Sequence, residues 1–117
     1  MKAFFRAMGG RELALEPGET MIRSGPANLF RGIEAVGGFL WLTDRRLVFR
    51  SHGISFWPGE SAWPLRGIAR VETATTMWVF RNAIRCSMRD GRVAKMVVED
   101  REGWARDIES ARARGSP

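Results

Sequence analysis

Little in this sequence lends itself to bond-making chemistry. Its 117 residues hold one cysteine, one histidine and no tyrosine. A lone Cys86 excludes an internal disulfide, and with only His52 to join it no cage of cysteine and histidine ligands can form around a metal. Long apolar runs are missing too: none approaches the ~20 residues of a membrane-spanning helix. The first ten residues offer only Ala3-Phe4-Phe5 and Ala7-Met8, interrupted by Arg6, short of the ~7 to 15 apolar residues of a secretory signal. A cytoplasmic protein with a reduced, core-facing Cys86 is the expectation. Lysine is scarce as well, at Lys2 and Lys95 alone, while arginine supplies the rest of the 19 basic residues. Low-complexity tracts and internal repeats are absent.

What is present is a globular composition, 44% apolar and 27% charged, with a net charge of +6. A chain this long matches one domain with one core. The charge surplus is spread out, with eight basic and six acidic residues up to position 60 and eleven and seven beyond it. Its densest stretch is Arg81, Arg85, Arg89, Arg92 and Lys95, with Asp90 as the only acid between them.

Turn residues recur at short intervals, at Pro17-Gly18, Gly25-Pro26, Gly37-Gly38, Asp44, Gly53, Pro58-Gly59, Pro64, Gly67 and Asp90-Gly91. Short apolar runs between such signals are the pattern of a β sandwich or barrel. Two hairpins stand out. Residues 39–43 and 47–51 flank Asp44-Arg45-Arg46, so that Leu40 and Leu42 share one face and Phe39 and Trp41 the other. In the second, a three-residue Arg89-Asp90-Gly91 loop with a glycine bulge puts Ile84, Cys86, Met88, Ala94, Met96 and Val98 on one face. Arg85 and Lys95 then fall on the outer face. After Glu99 the period changes to that of a helix: Trp104, Ile108 and Ala111 form an apolar stripe, Asp100 is placed to cap it, and Gly115 and Pro117 to end it. The aromatic stripe needs a surface to bury against, and the preceding strands are the only one available. A mainly β barrel closed by one C-terminal helix follows.

Three stretches carry a resemblance to a known family. Leu15-Glu16-Pro17-Gly18-Glu19, the run Gly38 to Ser51 with its G-x-L-x-L-T-x-x-R-L-x-F pattern, and Pro64 to Glu72 with P-L-x-x-I-x-x-V resemble GRAM domains. These are members of the pleckstrin-homology-like superfamily and include small stand-alone bacterial proteins. The likeness spans residues 12–114, with 1–11 as a flexible extension. It implies a bent barrel of about seven antiparallel strands plus a C-terminal helix in a single domain, and a strand near Pro64 to Val71 that bends and changes partner. The matching positions are core and turn residues, so the likeness speaks to fold and not to ligand.

For function, the sequence supports a non-catalytic binding module for protein interaction or for peripheral association with anionic membrane lipid at the inner face of the membrane. The anion-facing candidates are Arg45, Arg46 and Arg50 on the first hairpin and Arg81, Arg85, Arg89, Arg92 and Lys95 on the second. Pleckstrin-homology-like domains that bind phosphoinositides use a basic loop between their first two strands, and here that loop holds only Arg31 beyond Arg23. Segment 28–38, with Leu29 and Phe30, is too apolar for a plain loop. Either it packs over the barrel mouth as a short helix or it forms a contact surface. Trp57, in the loop 52–60, is a further partner-contact candidate; Trp63 and Trp78 also lie among the charges. Arginine and tryptophan on a small barrel also suit single-stranded nucleic acid, but an OB-type barrel would not end in a lone helix. An enzyme acting on a small molecule is the remaining alternative, and it lacks a nucleophile with a base, paired acids or a phosphate-binding glycine loop. No cofactor and no metal are expected.

Overall fold

The computed structural model describes residues 12–51 and 60–114. Seven strands form one antiparallel sheet: β1 (Met21–Arg31), β2 (Glu34–Thr43), β3 (Arg46–Ser51), β4 (Glu60–Pro64), β5 (Ile68–Thr76), β6 (Phe80–Met88) and β7 (Val93–Val98). The helix α1 (Arg101–Arg114) follows. In space the strands run β4-β3-β2-β1-β7-β6-β5. The chain therefore crosses from one edge of the sheet to the other between β4 and β5, through a single 3-10 turn at Leu65–Gly67. This is the bend with a change of partner that the resemblance implied. The sheet curls into a half-barrel with α1 packed against β5 and β6, the expected architecture of seven antiparallel strands and one C-terminal helix.

Alternation fixes which side chains face inward. Leu40 stands opposite Phe49 and Leu42 opposite Leu47, and all four are fully buried in the main core. On the second hairpin, Cys86 pairs with Ala94 and Ile84 with Met96. The Gly91 N–H donates to the Met88 carbonyl and the Met88 N–H to the Arg92 carbonyl, with Gly91 at φ +95°. That is the three-residue loop with its glycine bulge, and it delivers all six apolar residues to the core. Had the turn been one residue shorter, Lys95 would face inward.

The helix contributes Trp104, Ile108 and Ala111 to the same core. The Asp100 carboxylate accepts the Gly103 N–H at 3.2 Å, the expected cap. Arg23 of β1 then clamps the helix: its guanidinium reaches Asp100 at 2.8 Å and Asp107 at 3.0 Å and lies over the Trp104 ring at 5.0 Å. A side chain at Gly103 would collide with Asp100 and Arg23, so only glycine lets the clamp approach.

Segment 28–38 is not a helix over the mouth but the β1–β2 hairpin, turning at Gly32-Ile33 between the paired Arg31 and Glu34. Its apolar residues are explained by strand alternation: Leu29 opposite Val36 faces the core, while Ile33 at the turn is fully exposed. Residues 12–20 form a strap on the outer side of β2 and β3, where Leu13 joins Trp41 and Val48 in a second apolar cluster. The expected extension at 1–11 and the end of the helix at Gly115 and Pro117 lie outside the described residues.

Candidate interaction surface

The first group of arginines is committed to holding the strap. Arg46 grips Glu19 with two nitrogens, at 2.8 and 3.0 Å, and donates to the Ala14 carbonyl at 2.9 Å. The Thr43 hydroxyl donates to the same carboxylate at 2.6 Å. Glu19 has no exposed side-chain surface. Its pKa falls to about 2, chiefly because Arg46 hydrogen-bonds the charged form, with Thr43 and its own turn helping against the cost of burial. Arg45 meets Glu16 at 3.4 Å and the Pro17 carbonyl at 3.0 Å. Arg50 meets Glu60 at 2.9 Å and the Glu12 carbonyl at 3.2 Å, and lies over the Trp41 ring at 4.8 Å. Each of these cations is engaged within the fold, and their charge is largely answered there.

The second group divides. Arg92 pairs with Asp90 across its own turn at 2.9 Å, and hydrogen bonds from Arg92, backbone first, hold the Asp90 carboxyl below its usual range. Arg89 donates to the Arg66 carbonyl at 2.7 Å and its N–H to the Gly67 carbonyl at 2.9 Å, fastening the β6–β7 turn to the corner where β4 gives way to β5. Arg85 and Lys95 are direct cross-strand neighbours, with Glu72 on the other side of Arg85 and the Lys95 ammonium 5.5 Å over the Phe30 ring. Arg81 is exposed, at the bulge between Phe80 and Ala83 where β6 slips register against β5. Among the described residues neither Arg81 nor Arg85 makes an ion pair. The eight basic candidates thus occupy three places: Arg85 and Lys95 stand together on the outer face of β6 and β7, with Arg81 at the bulge beside the β5–β6 tip.

Of the partner-contact candidates, Leu29 is 5% exposed and belongs to the core, so it offers no contact. Phe30 is half-buried beneath Lys95. Trp57 and His52 lie outside the described residues. Trp63 packs partly against the core.

A feature that the sequence reading passed over lies at the β5–β6 turn. Met77, Trp78, Val79 and Phe80 are 79%, 95%, 71% and 56% exposed, a run of four large apolar side chains at the tip of a hairpin. The Val79 N–H donates to the Thr76 carbonyl at 3.2 Å, and the two residues between, Met77 and Trp78, have φ of +50° and +66°. Between the paired Thr76 and Phe80, two positive values at the centre of the Thr76–Val79 turn give a conformation that favours Asn-Gly or Gly-Gly. Here it is built from two bulky side chains, at a cost of about 1 kcal/mol or more each. The signal was hard to read because Thr75 to Phe80 contains none of the residues that mark turns, so it reads as uninterrupted strand.

Burial pushes the Cys86 thiol up to about 12, which keeps it an inert core side chain. Among the described residues no His, Cys, Asp and Glu side chains gather in a way that could hold a metal ion. An open cleft of about 560 Å³ beside the β2–β3 turn is lined by Arg45, Arg46 and Arg66 together with Glu16 and Asp44, a mixed-charge surface with no convergent catalytic set.

This arrangement of strands and helix is the pleckstrin-homology-like fold. No family model matches the sequence, and no curated protein matches it significantly. Solved structures do resemble it. The C-terminal domain of an unknown protein from Leishmania infantum superposes with a TM-score of 0.71 at 18% identity, over 83% of this chain and 87% of that one. The Vps36 N-terminal PH domain gives 0.67 at 16%, over 86% and 84%. The N-terminal PH domain of human ARAP2 gives 0.65 at 14%, over 80% and 81%. At these identities the likeness establishes the fold.

Proposed function

We propose that this chain is a non-catalytic binding module of the pleckstrin-homology-like type, with residues 12–114 as one GRAM-like domain. Its binding surface is the β5–β6 tip together with the adjoining outer face of β6 and β7. The observation that carries the reading is the tip itself. Four neighbouring apolar side chains stand in water on a turn they make strained. The hairpin would close more easily on Asn-Gly, so the apolar residues serve contact with something outside the chain. Arg81, Arg85 and Lys95 beside the tip add a basic flank. Resemblance to PH domains agrees with a binding role, and protein and anionic lipid are the two partner classes such a surface suits.

The test replaces the turn by the sequence it favours. The full chain and its Met77→Asn/Trp78→Gly variant are added to a whole-cell lysate that retains its membranes, and each is separated by sedimentation and sizing. Wild-type chain is expected to travel with membranes or with a larger complex, and the variant to stay a free small species. Identical distributions of the two would overturn the reading.

A further inference from the structure

We infer that the β5–β6 tip is a wedge for the interface of an anionic bilayer: Met77 to Phe80 enter the boundary between headgroups and acyl chains, and Arg81, Arg85 and Lys95 face the lipid phosphates. The inference rests on the reading of this surface as the binding site and names its occupant. Shape, chemistry and charge each point to a bilayer. The tip is a convex projection led by a side chain that is 95% exposed, where docking to a rigid protein surface calls for a matching pocket. A fluid interface supplies its own cavity. Tryptophan at the apex with methionine, valine and phenylalanine around it is the composition that partitions to this layer, because an indole buries its ring while its N–H stays within reach of polar groups.

Charge is the third indication. Arg81 follows the apolar run directly at the β6 bulge, and Arg85 lies further along the strand on its outer face, opposite Lys95. Two acids share this side, Glu72, opposite Arg85 and already paired with Arg70, and the exposed Glu99 just beyond β7. Asp100 and Glu102 nearby are taken by Arg23 and Arg101. The cations exceed the acids here, and the whole chain carries +6, so approach to an anionic leaflet is favoured and approach to a neutral one is not.

The experiment uses the full chain and phosphatidylcholine vesicles with and without phosphatidylserine, some carrying brominated acyl chains to quench tryptophan by contact. Wild type is expected to sediment with the serine-containing vesicles at least tenfold more strongly than with phosphatidylcholine alone. Its emission should shift to the blue and be quenched by the brominated chains. Trp78→Phe should keep the binding and lose most of the quenching. Met77→Asn/Trp78→Gly should lose binding at least tenfold while its circular dichroism and unfolding midpoint show an intact fold, and Arg81→Gln should weaken it less. Binding with no quenching from Trp78, or equal binding by wild type and the turn variant, would overturn the wedge. So would failure to bind pure lipid by a protein whose lysate partition depends on the tip; the binding-surface reading would then stand with a protein as its occupant. Failure of both experiments removes both.

Discussion

Glu19 shows how a single residue can change meaning between sequence and structure. Read along the chain it is one of several scattered acids at turn boundaries. Folded, it is a buried carboxylate gripped by Arg46 and Thr43, and it fastens the strap over Trp41 and Val48. Its pKa drops from 4.5 to about 2, so the folded state binds its proton less tightly than the unfolded chain does. The stabilisation is therefore complete above about pH 4.5 and is lost as the pH falls toward 2. Replacing Glu19 by glutamine is expected to lower stability at pH 7 by about 2 kcal/mol, since it also leaves Arg46 without its counter-charge. The difference from wild type should shrink on acidification through that window, as urea unfolding at pH 7 and pH 3 would show. A constant difference at both pH values would mean that Glu19 acts through packing and not through its charge.

At the scale of elements, the two hairpins of the second half make a useful contrast. The β6–β7 turn was legible because Asp90-Gly91 announces it and because only one loop length keeps Lys95 out of the core. The β5–β6 turn was not, since Met77-Trp78 contradicts local preference, and such contradictions tend to mark functional or strained positions. Relief of this strain has a measurable consequence. Met77→Asn/Trp78→Gly is expected to raise stability by about 1 kcal/mol, the gain from two favourable positive-φ residues less the extra freedom that glycine gives the unfolded chain. Chemical denaturation would register it. A variant that is more stable and no longer binds separates the role of the tip from that of the fold, whereas a less stable one would show that the apolar tip supports the hairpin.

For the molecule as a whole, the helix completes what the sheet leaves open. Ile108 is fully buried and Trp104 nearly so, in a core otherwise lined by strands, and Arg23 ties the helix to β1 across a long stretch of chain. Truncating Ile108 to alanine is expected to cost about 2 to 5 kcal/mol, read as a shift of the urea midpoint with little change in slope. A drop in slope instead would indicate that the helix detaches while the sheet persists. The same whole-molecule view answers where the positive charge goes. Of the eight basic candidates, Arg45, Arg46 and Arg50 turn back on the strap, Arg89 and Arg92 secure turns and the corner, and Arg85 and Lys95 stand on the outer face of β6 and β7 with Arg81 beside the tip.

The sequence alone determined the strand-rich class, the inward faces of both hairpins, the β6–β7 register and the terminal helix, because periodicity and turn chemistry are local and act within a few residues. The bend between β4 and β5 was implied only by the family likeness read in residues 64–72. Only the tertiary structure decided which arginines are engaged, since a partner such as Glu19 or Glu60 is brought to its cation by packing and leaves no spacing to read. Only the tertiary structure could show Leu29 inside and Met77 to Phe80 outside: both are apolar runs in a strand-like sequence, and burial depends on what the rest of the chain places over them.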